Sequence, residues 1–200
     1  MTKAEEDSVK HLYTKEKALI QEELDFNVGE LRIEAEECQN KFTPEQERIY
    51  NRVISAIDNE EPLQIFISAR GGCGITYLLK TILKAVRSKK DNGCVALAMA
   101  TTGITAQLLH LGRTLYSRMK APCDIEENSS FNIPAQSALA KLVKSVRLIL
   151  IDIYYLEALD KTHQDLFNNT KPLGGGWLLS LQEISGNVCQ LNLVPPEVKK

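Results

Sequence analysis

A glycine-rich turn stands between an apolar strand pattern and an amphipathic helix pattern near the middle of the chain. The turn consists of Gly71, Gly72, Cys73, Gly74, Ile75 and Thr76. Glycines in such a turn let backbone N–H groups surround a phosphate, and the helix N-terminus adds the positive end of its dipole. The alternative is a tight strand-to-helix turn that binds nothing. Because further stretches downstream agree with a nucleotide site, we favour a phosphate-binding loop.

This loop departs from the usual pattern, which is Gly, four residues, then Gly-Lys-Ser/Thr. Ala69 stands at the first glycine and Ile75 at the lysine, whereas Thr76 keeps the hydroxyl that holds Mg²⁺. The missing ammonium removes a charge-assisted contact of about 1.5–3 kcal/mol. The loop pattern therefore predicts that the phosphates of a nucleotide, and Mg²⁺ with them, bind weakly.

A second candidate group is the carboxylate of Asp152, which directly follows the apolar run at residues 148–151. An aspartate at the end of a buried strand can hold Mg²⁺ through water. The alternative is an aspartate that only caps the next turn. Since a phosphate loop lies upstream, we predict a magnesium site formed by Thr76 and Asp152.

The elements that must position these groups form an α/β pattern. Short apolar runs predict strands at residues 63–67, 94–99, 148–152 and 177–181. A strand–helix–strand order predicts a parallel sheet, and ligands bind at the carboxyl edge of such sheets. The small polar residues 100–106 follow the second run directly and should lie at that edge.

A helix is predicted before the first strand. Thr43 can cap it, with Pro44 at its first position and Gln46 at its third, and it should end near Asp58. The earlier residues are charged and permissive for helices. We therefore divide the chain into a charged helical extension at residues 1–41 and a lobe at residues 42–200.

Composition and charge narrow the function classes. The chain has 200 residues, 44% of them hydrophobic, and a net charge of −2, which suits one sizeable domain plus an extension. Acidic residues dominate the first 40 positions, so the remainder is mildly basic. Basic residues concentrate at Lys80, Lys84, Arg87, Lys89, Lys90, Arg113, Arg118 and Lys120. They form either a solvated face or a nucleic-acid surface.

The sequence gives little support for disulfide bonds, for a cysteine metal site or for a membrane span. The five cysteines are odd in number and widely spaced, which predicts free thiols and no metal site beyond nucleotide-bound magnesium. No apolar run approaches the roughly 18 residues of a membrane span, and no signal-peptide core begins the chain. We expect an intracellular protein without a membrane partner.

These stretches together resemble the PIF-type (petite integration frequency) ATP-dependent DNA helicases, especially the helicase part of helitron-like transposon proteins. The resemblance covers about residues 42–196, the first of that family's two motor lobes. It implies a three-layer P-loop NTPase (RecA-like) lobe with a parallel sheet. It also implies 5′–3′ DNA unwinding driven by ATP hydrolysis, in DNA repair, recombination or telomere maintenance, and location in the nucleus.

The resemblance assigns roles to individual residues. Gln46 looks like the glutamine that reads adenine, and residues 71–76 look like the phosphate loop. Asp152 and Gln190 match the magnesium-binding acid and the glutamine that couples the γ-phosphate to DNA, and they are the predicted catalytic residues. The segment similar to the family's contacts with single-stranded DNA contributes Thr102, Gly103, Arg113 and Ser117.

The chain departs from the family at residues whose side chains take part in the family's chemistry. Ile75 replaces the lysine, Ile153 replaces the catalytic glutamate, and Asn187 and Cys189 replace an aspartate and an arginine. The second lobe is expected to be absent from this chain, which is then either a helicase fragment or one part of a longer gene product. Two hypotheses follow from these losses. The first is a helicase lobe with weakened ATP hydrolysis, and the second is a non-catalytic nucleotide- or DNA-binding module or a decaying transposon remnant.

Overall fold

The computed structural model describes residues 21, 25–61, 63–69, 72–89, 95–119, 131, 133–152, 156–170, 178–183 and 192–194. Five predicted or replaced site residues lie outside these ranges: Gly71, Ile153, Asn187, Cys189 and Gln190. Asp152 is described through its backbone.

The described residues form seven helices and six strands. The helices are α1 (Val28–Gln39), α2 (Pro44–Asp58), α3 (Ile75–Arg87), α4 (Gly103–Gln107), α5 (Leu115–Met119), α6 (Ala138–Ser145) and α7 (Leu156–Phe167). The strands are β1 (Gln64–Ala69), β2 (Val95–Ala100), β3 (Arg113–Thr114), β4 (Val146–Asp152), β5 (Leu178–Glu183) and β6 (Asn192–Val194). The four predicted strands are all present within two residues of their expected bounds.

Helix α2 begins with the predicted capping box. The Gln46 N–H donates to Thr43 Oγ1 at 3.3 Å, and the Thr43 N–H donates to Gln46 Oε1 at 3.0 Å. Pro44 at the first helical position loses no hydrogen bond, because that N–H has no partner within a helix. The helix ends at Asp58, as its sequence pattern predicts.

The strands form one sheet in the order β3-β2-β4-β5-β1-β6. All neighbours are parallel except β6, which pairs antiparallel with β1 at the sheet's edge. The predicted parallel sheet is confirmed, and the short strands β3 and β6 are additions to it. The successive strands β1 and β2 are not adjacent, because β4 and β5 lie between them.

Helices cover both faces of the sheet, which confirms the three-layer architecture. Along β2, Ala96 and Ala98 join a core cluster with α1, α2 and α3, which we name the first core. The alternate residues Val95, Leu97 and Met99 join a second cluster with α5, α6 and α7. This alternation follows from the two-residue period of a strand.

Helix α1 packs directly on α3, the helix that follows the glycine-rich turn. Ala35 belongs to the first core, and Lys84 Nζ lies 2.6 Å from Glu34 Oε2. The Tyr77 hydroxyl donates to the Cys38 carbonyl at 2.9 Å. Residues 28–39 are thus packed on the lobe, and the division at residues 41/42 stays a prediction.

Among the described helices, none combines the length and the apolar character that a membrane span would require.

Candidate functional site

Within the described residues, the glycine-rich turn, Asp152 and the segment after β2 lie at the carboxyl edge of the sheet. Strands β1, β2 and β4 run in the same direction and end at Ala69, Ala100 and Asp152. Ile67 and Asp152 both pair with Leu181 of β5 from opposite sides. Two strand spacings separate them, or about 10 Å. The glycine-rich turn, the end of β4 and the segment after β2 therefore share one edge.

The described part of the turn has the backbone that its glycines predict. Gly72 has φ +85° and Gly74 has φ +76°, in the left-handed region that glycine adopts at little cost. Gly74 is the N-cap of α3, and the first turn of that helix holds no acidic residue. The positive end of the helix dipole thus faces the turn without a carboxylate to neutralise it.

Ile75 and Thr76 differ in their surroundings. Ile75 is half-buried and packs against the first core, whereas Thr76 is exposed in the first turn of α3. The residue at the lysine position thus contributes to packing and brings no charge to the turn. The Thr76 hydroxyl is accessible to a ligand.

Gln46, on α2, forms hydrogen bonds with the glycine-rich turn. Its side chain is only 6% exposed, and Nε2 donates to the carbonyls of Cys73 at 3.2 Å and Gly74 at 3.4 Å. Its Oε1 completes the capping box at Thr43. The residue predicted to read a base therefore donates to two carbonyls of the turn.

The expectation of free thiols is wrong at Cys73. Cys38 is a free thiol, but Cys73 is disulfide-bonded. Its partner lies outside the described residues, since Cys38 is the other cysteine within them. The spacing of the cysteines in the sequence carries no sign of this pairing.

The donors predicted for Mg²⁺ suit that ion. A threonine hydroxyl and an aspartate carboxylate are hard oxygen ligands, and Mg²⁺ usually takes its remaining ligands from water and phosphates. Thr76 follows the turn and Asp152 ends β4, so both lie at the same sheet edge. Among the described residues, no group of three or more His, Cys, Asp or Glu side chains could hold a metal ion.

The residues predicted to contact DNA lie on one exposed segment beside this edge. Thr102 and Gly103 begin α4, Arg113 lies on β3 and Ser117 lies on α5, and all four are exposed. The register pairs Arg113 with Met99 and Thr114 with Ala100 of β2. This pairing places β3 at the same edge as Thr102.

Local hydrogen bonds and one close approach shape this segment. Thr102 Oγ1 accepts from the Thr105 N–H at 3.2 Å and caps α4. A Cβ on Gly112 would overlap the Ala106 carbonyl oxygen and lie 2.9 Å from Leu109 Cβ. The turn from α4 to β3 therefore needs glycine at position 112.

The basic residues between Lys80 and Lys120 do not form one continuous basic surface in the described part of the chain. Arg87 and Arg118 are buried. Lys84 pairs with Glu34, and Lys89 pairs with Asp58. Arg113 is the exposed member of this group within the described ranges.

The sequence analysis did not single out three residues that the structure brings to this region. Tyr116 is 62% exposed and Ile104 is 80% exposed, both on the segment after β2. His110 lies in the turn of the same segment and contacts Arg87. Tyr116 stands between the buried Leu115 and the exposed Ser117.

Comparisons with known proteins find a matching family and similar folds. The family described as PIF1-like helicase matches residues 41–197. The chain is similar to a structure of two coordinating Pif1 helicases at forked double-stranded DNA, with TM-score 0.54 and 20% identity over 71% of this chain and 33% of that chain. Unliganded Pif1 from Bacteroides sp gives TM-score 0.52 and 20% identity over 71% and 31%.

Pif1 from Bacteroides sp in complex with ADP-AlF4 gives TM-score 0.52 and 21% identity over 70% of this chain and 32% of that chain. The chain thus spans about a third of the length of the solved structures that it resembles. No curated protein matches it. At these identities the likeness shows the fold, and it confirms the prediction of an α/β RecA-like lobe.

Proposed function

The chain belongs to the PIF1-like helicase family, and on that premise we propose that it is a helicase lobe that binds ATP and single-stranded DNA. The observation that carries the proposal is the meeting of three features at one sheet edge. These are the glycine-rich turn, the end of β4 at Asp152 and the exposed segment at residues 102–117. Ligands of open α/β sheets bind at this edge.

Nucleotide binding at the turn would use backbone groups more than side-chain charge. Gly72 and Gly74 allow the left-handed backbone of the turn. The N-terminus of α3 has no acidic residue in its first turn, and its positive dipole end favours a phosphate. Thr76 and Asp152 would hold Mg²⁺, which supplies charge neutralisation at the phosphates when bound. Because Ile75 adds no charge, we expect weak binding of both ATP and Mg²⁺.

DNA binding would use the segment at residues 102–117. Thr102, Gly103, Arg113 and Ser117 offer polar and cationic groups to phosphates from an exposed position. Tyr116 adds an exposed ring on which a base can stack, a contact worth about 1–3 kcal/mol. We expect the contact to be largely independent of sequence, because phosphates carry no sequence information.

The family's wider activity is part of the same proposal. It comprises 5′–3′ unwinding coupled to ATP hydrolysis, roles in repair, recombination or telomere maintenance, and work in the nucleus. The lobe would perform this activity with a second helicase lobe, which supplies the other wall of the ATP cleft in two-lobe motors. Gln190 would couple the γ-phosphate to DNA by resemblance to the family.

A second candidate function is a binding module without catalysis. Ile75 favours it, because this side chain packs against the first core where the family has a lysine. Ile153 stands where the family has its catalytic glutamate. Aliphatic side chains thus replace both charged groups, the lysine and the glutamate, that phosphoryl transfer needs. Such a module would bind nucleotide or DNA and would not turn ATP over.

One set of assays separates these functions. Fluorescent ADP and a labelled single strand are titrated against the chain at low salt, and ATP turnover is measured with and without the strand. We expect both ligands to bind and turnover to be absent from the isolated chain. DNA-stimulated turnover would favour the enzyme, and failure to bind either ligand would overturn both candidates.

A further inference from the structure

The Gln46 side-chain amide lies at the junction between α2 and the glycine-rich turn. Its Nε2 reaches the Cys73 carbonyl at 3.2 Å and the Gly74 carbonyl at 3.4 Å. Its Oε1 accepts from the Thr43 N–H at 3.0 Å. A glutamine amide has two N–H donors, and here both are committed to carbonyls of the turn.

Gly74 fits closely against this amide. Its carbonyl also accepts the first hydrogen bond of α3, from the Leu78 N–H at 3.0 Å. A Cβ at position 74 would lie 2.6 Å from Gln46 Nε2, and the φ of +76° already disfavours other residues. The end of the turn is therefore shaped by two constraints, its left-handed backbone and the amide against it.

We propose that Gln46 is a positioning residue that holds the phosphate loop and that nucleotide binding at this loop is therefore nearly independent of the base. The inference of base independence rests on the proposed function, in which the loop binds a nucleotide. The family resemblance instead gives the matching glutamine the task of reading adenine. In this chain the contacts of Gln46 run to the loop.

The hydrogen-bond inventory explains why one amide does not do both. Reading adenine at two points needs a donor to N7 and an acceptor for the N6 amino group. The Gln46 oxygen keeps one lone pair, but both donors face Cys73 and Gly74. Turning the amide to a base would remove the Gln46 donor from both carbonyls, leaving Gly74 with only the Leu78 N–H, so the exchange gains no hydrogen bond.

One substitution separates the two contacts of this side chain. Gln46→Glu keeps an acceptor for the Thr43 N–H, since Glu and Gln both complete a capping box at this position. It removes both donors to the turn. The matched control is Thr43→Ala, which removes the cap's hydroxyl and leaves the Gln46 donors in place.

The positioning role is tested by hydrogen–deuterium exchange of the nucleotide-free chain under constant redox conditions, because Cys73 is disulfide-bonded. We expect the amides of residues 72–76 to exchange about tenfold faster in Gln46→Glu, since the turn loses its anchor. In Thr43→Ala the same amides should stay within about twofold of the wild type. Wild-type exchange in Gln46→Glu would overturn the positioning role.

Base independence is tested on the unmodified chain with ADP, GDP and inorganic pyrophosphate. We expect the Kd values of ADP and GDP to agree within about threefold, whereas two-point reading discriminates by about 5- to 150-fold. A tenfold preference for ADP that Gln46→Glu abolishes would overturn the proposal. If none of the three ligands binds, the proposed function fails and base independence fails with it, while the exchange data still decide the positioning role.

Discussion

The guanidinium of Arg87 donates to Nδ1 of His110 across 2.9 Å. Arg87 ends α3, is fully buried and also donates to the carbonyls of His110 and Ala96. Burial lowers the pKa of Arg87 to about 10, so it stays charged at neutral pH. Because arginine only donates, Nδ1 of His110 must be the acceptor and the ring must be neutral.

This contact predicts a dependence of stability on pH. Partial burial lowers the pKa of His110 below its usual 6.5; the charges of Arg87 and Lys84 lower it further, and Glu34 opposes them. The folded chain then binds fewer protons than the unfolded chain as the pH falls below 6.5. The stability that neutral His110 contributes is complete above that pH and is lost as the pH drops toward the lower, folded pKa.

Urea unfolding at pH 7.5, 6.5 and 5.5 measures this effect. The free energy of unfolding should decrease from pH 6.5 to 5.5 in the wild type. In His110→Asn, which keeps an acceptor but does not titrate, the decrease should be smaller. Equal slopes for the two proteins would show that His110 does not carry the effect.

A second prediction concerns the turn that contains His110. Gly112→Ala places a Cβ against the backbone carbonyl of Ala106, so the chain itself must shift. Overpacking of this kind costs about 1–3 kcal/mol, and we expect the free energy of unfolding to fall by that amount. Gly103→Ala is the control, since its Cβ would meet nothing within 4 Å. Equal stability of the two variants would contradict the prediction.

The sequence predicted those parts of the fold that local rules determine. The capping box at Thr43 and Gln46 involves neighbours three residues apart, and the strand ending at Asp152 is a continuous apolar run. The burial of Arg87 escaped prediction because its partners His110 and Ala96 are distant in sequence. On helix periodicity alone it falls on the polar side of α3, beside Lys80 and Lys84.

The placement of two elements of the candidate site also follows from the sequence. A strand–turn–helix pattern locates the glycine-rich turn, and a parallel sheet brings the end of the strand at Asp152 to the same edge. The pattern does not reveal that Gln46 bonds to the loop, because that contact joins residues 27 and 28 positions apart. The short strand β3 was also not predicted, because two residues are too few to show the alternating pattern of a strand.

Nucleotide affinity should rise in Ile75→Lys. Ile75 is half-buried, so a lysine can pack its stem in the same place and extend its ammonium to the phosphates. The recovered contact of about 1.5–3 kcal/mol corresponds to a tenfold or greater decrease in Kd. Titration with fluorescent ADP measures the change, and Ile33→Lys on α1 adds the same charge to an exposed site. A similar gain in both variants would point to general electrostatics.

Binding of single-stranded DNA should weaken in Arg113→Ala and change its dependence on salt. Each phosphate contact contributes about −0.7 to the slope of log K against log salt for single strands. Losing Arg113 should therefore make that slope shallower by about 0.7, with little change among sequences of different composition. Arg32→Ala on α1 removes an exposed charge elsewhere and should leave the slope unchanged. An unaltered slope in Arg113→Ala would remove this residue from the DNA surface.

ATP turnover should remain undetectable in the unmodified chain and in single reversions. Ile153 stands where a carboxylate would position the attacking water, and Ile75 stands where an ammonium would neutralise phosphate charge. General base catalysis alone contributes about 10² to 10⁴ in rate, or roughly 3–5 kcal/mol. Groups that act as a unit are strongly non-additive, so neither Ile75→Lys nor Ile153→Glu should suffice.

The double reversion should regain turnover only when a second helicase lobe is added in trans. ATP turnover of each variant is measured as phosphate release with and without single-stranded DNA. The matched control for contaminating ATPases is the double reversion that also carries Asp152→Ala. That control should abolish any signal, because Mg²⁺ would lose its predicted protein carboxylate. Robust, DNA-stimulated turnover by the unmodified chain would contradict this prediction and show that catalysis does not require a charged residue at position 75 or 153.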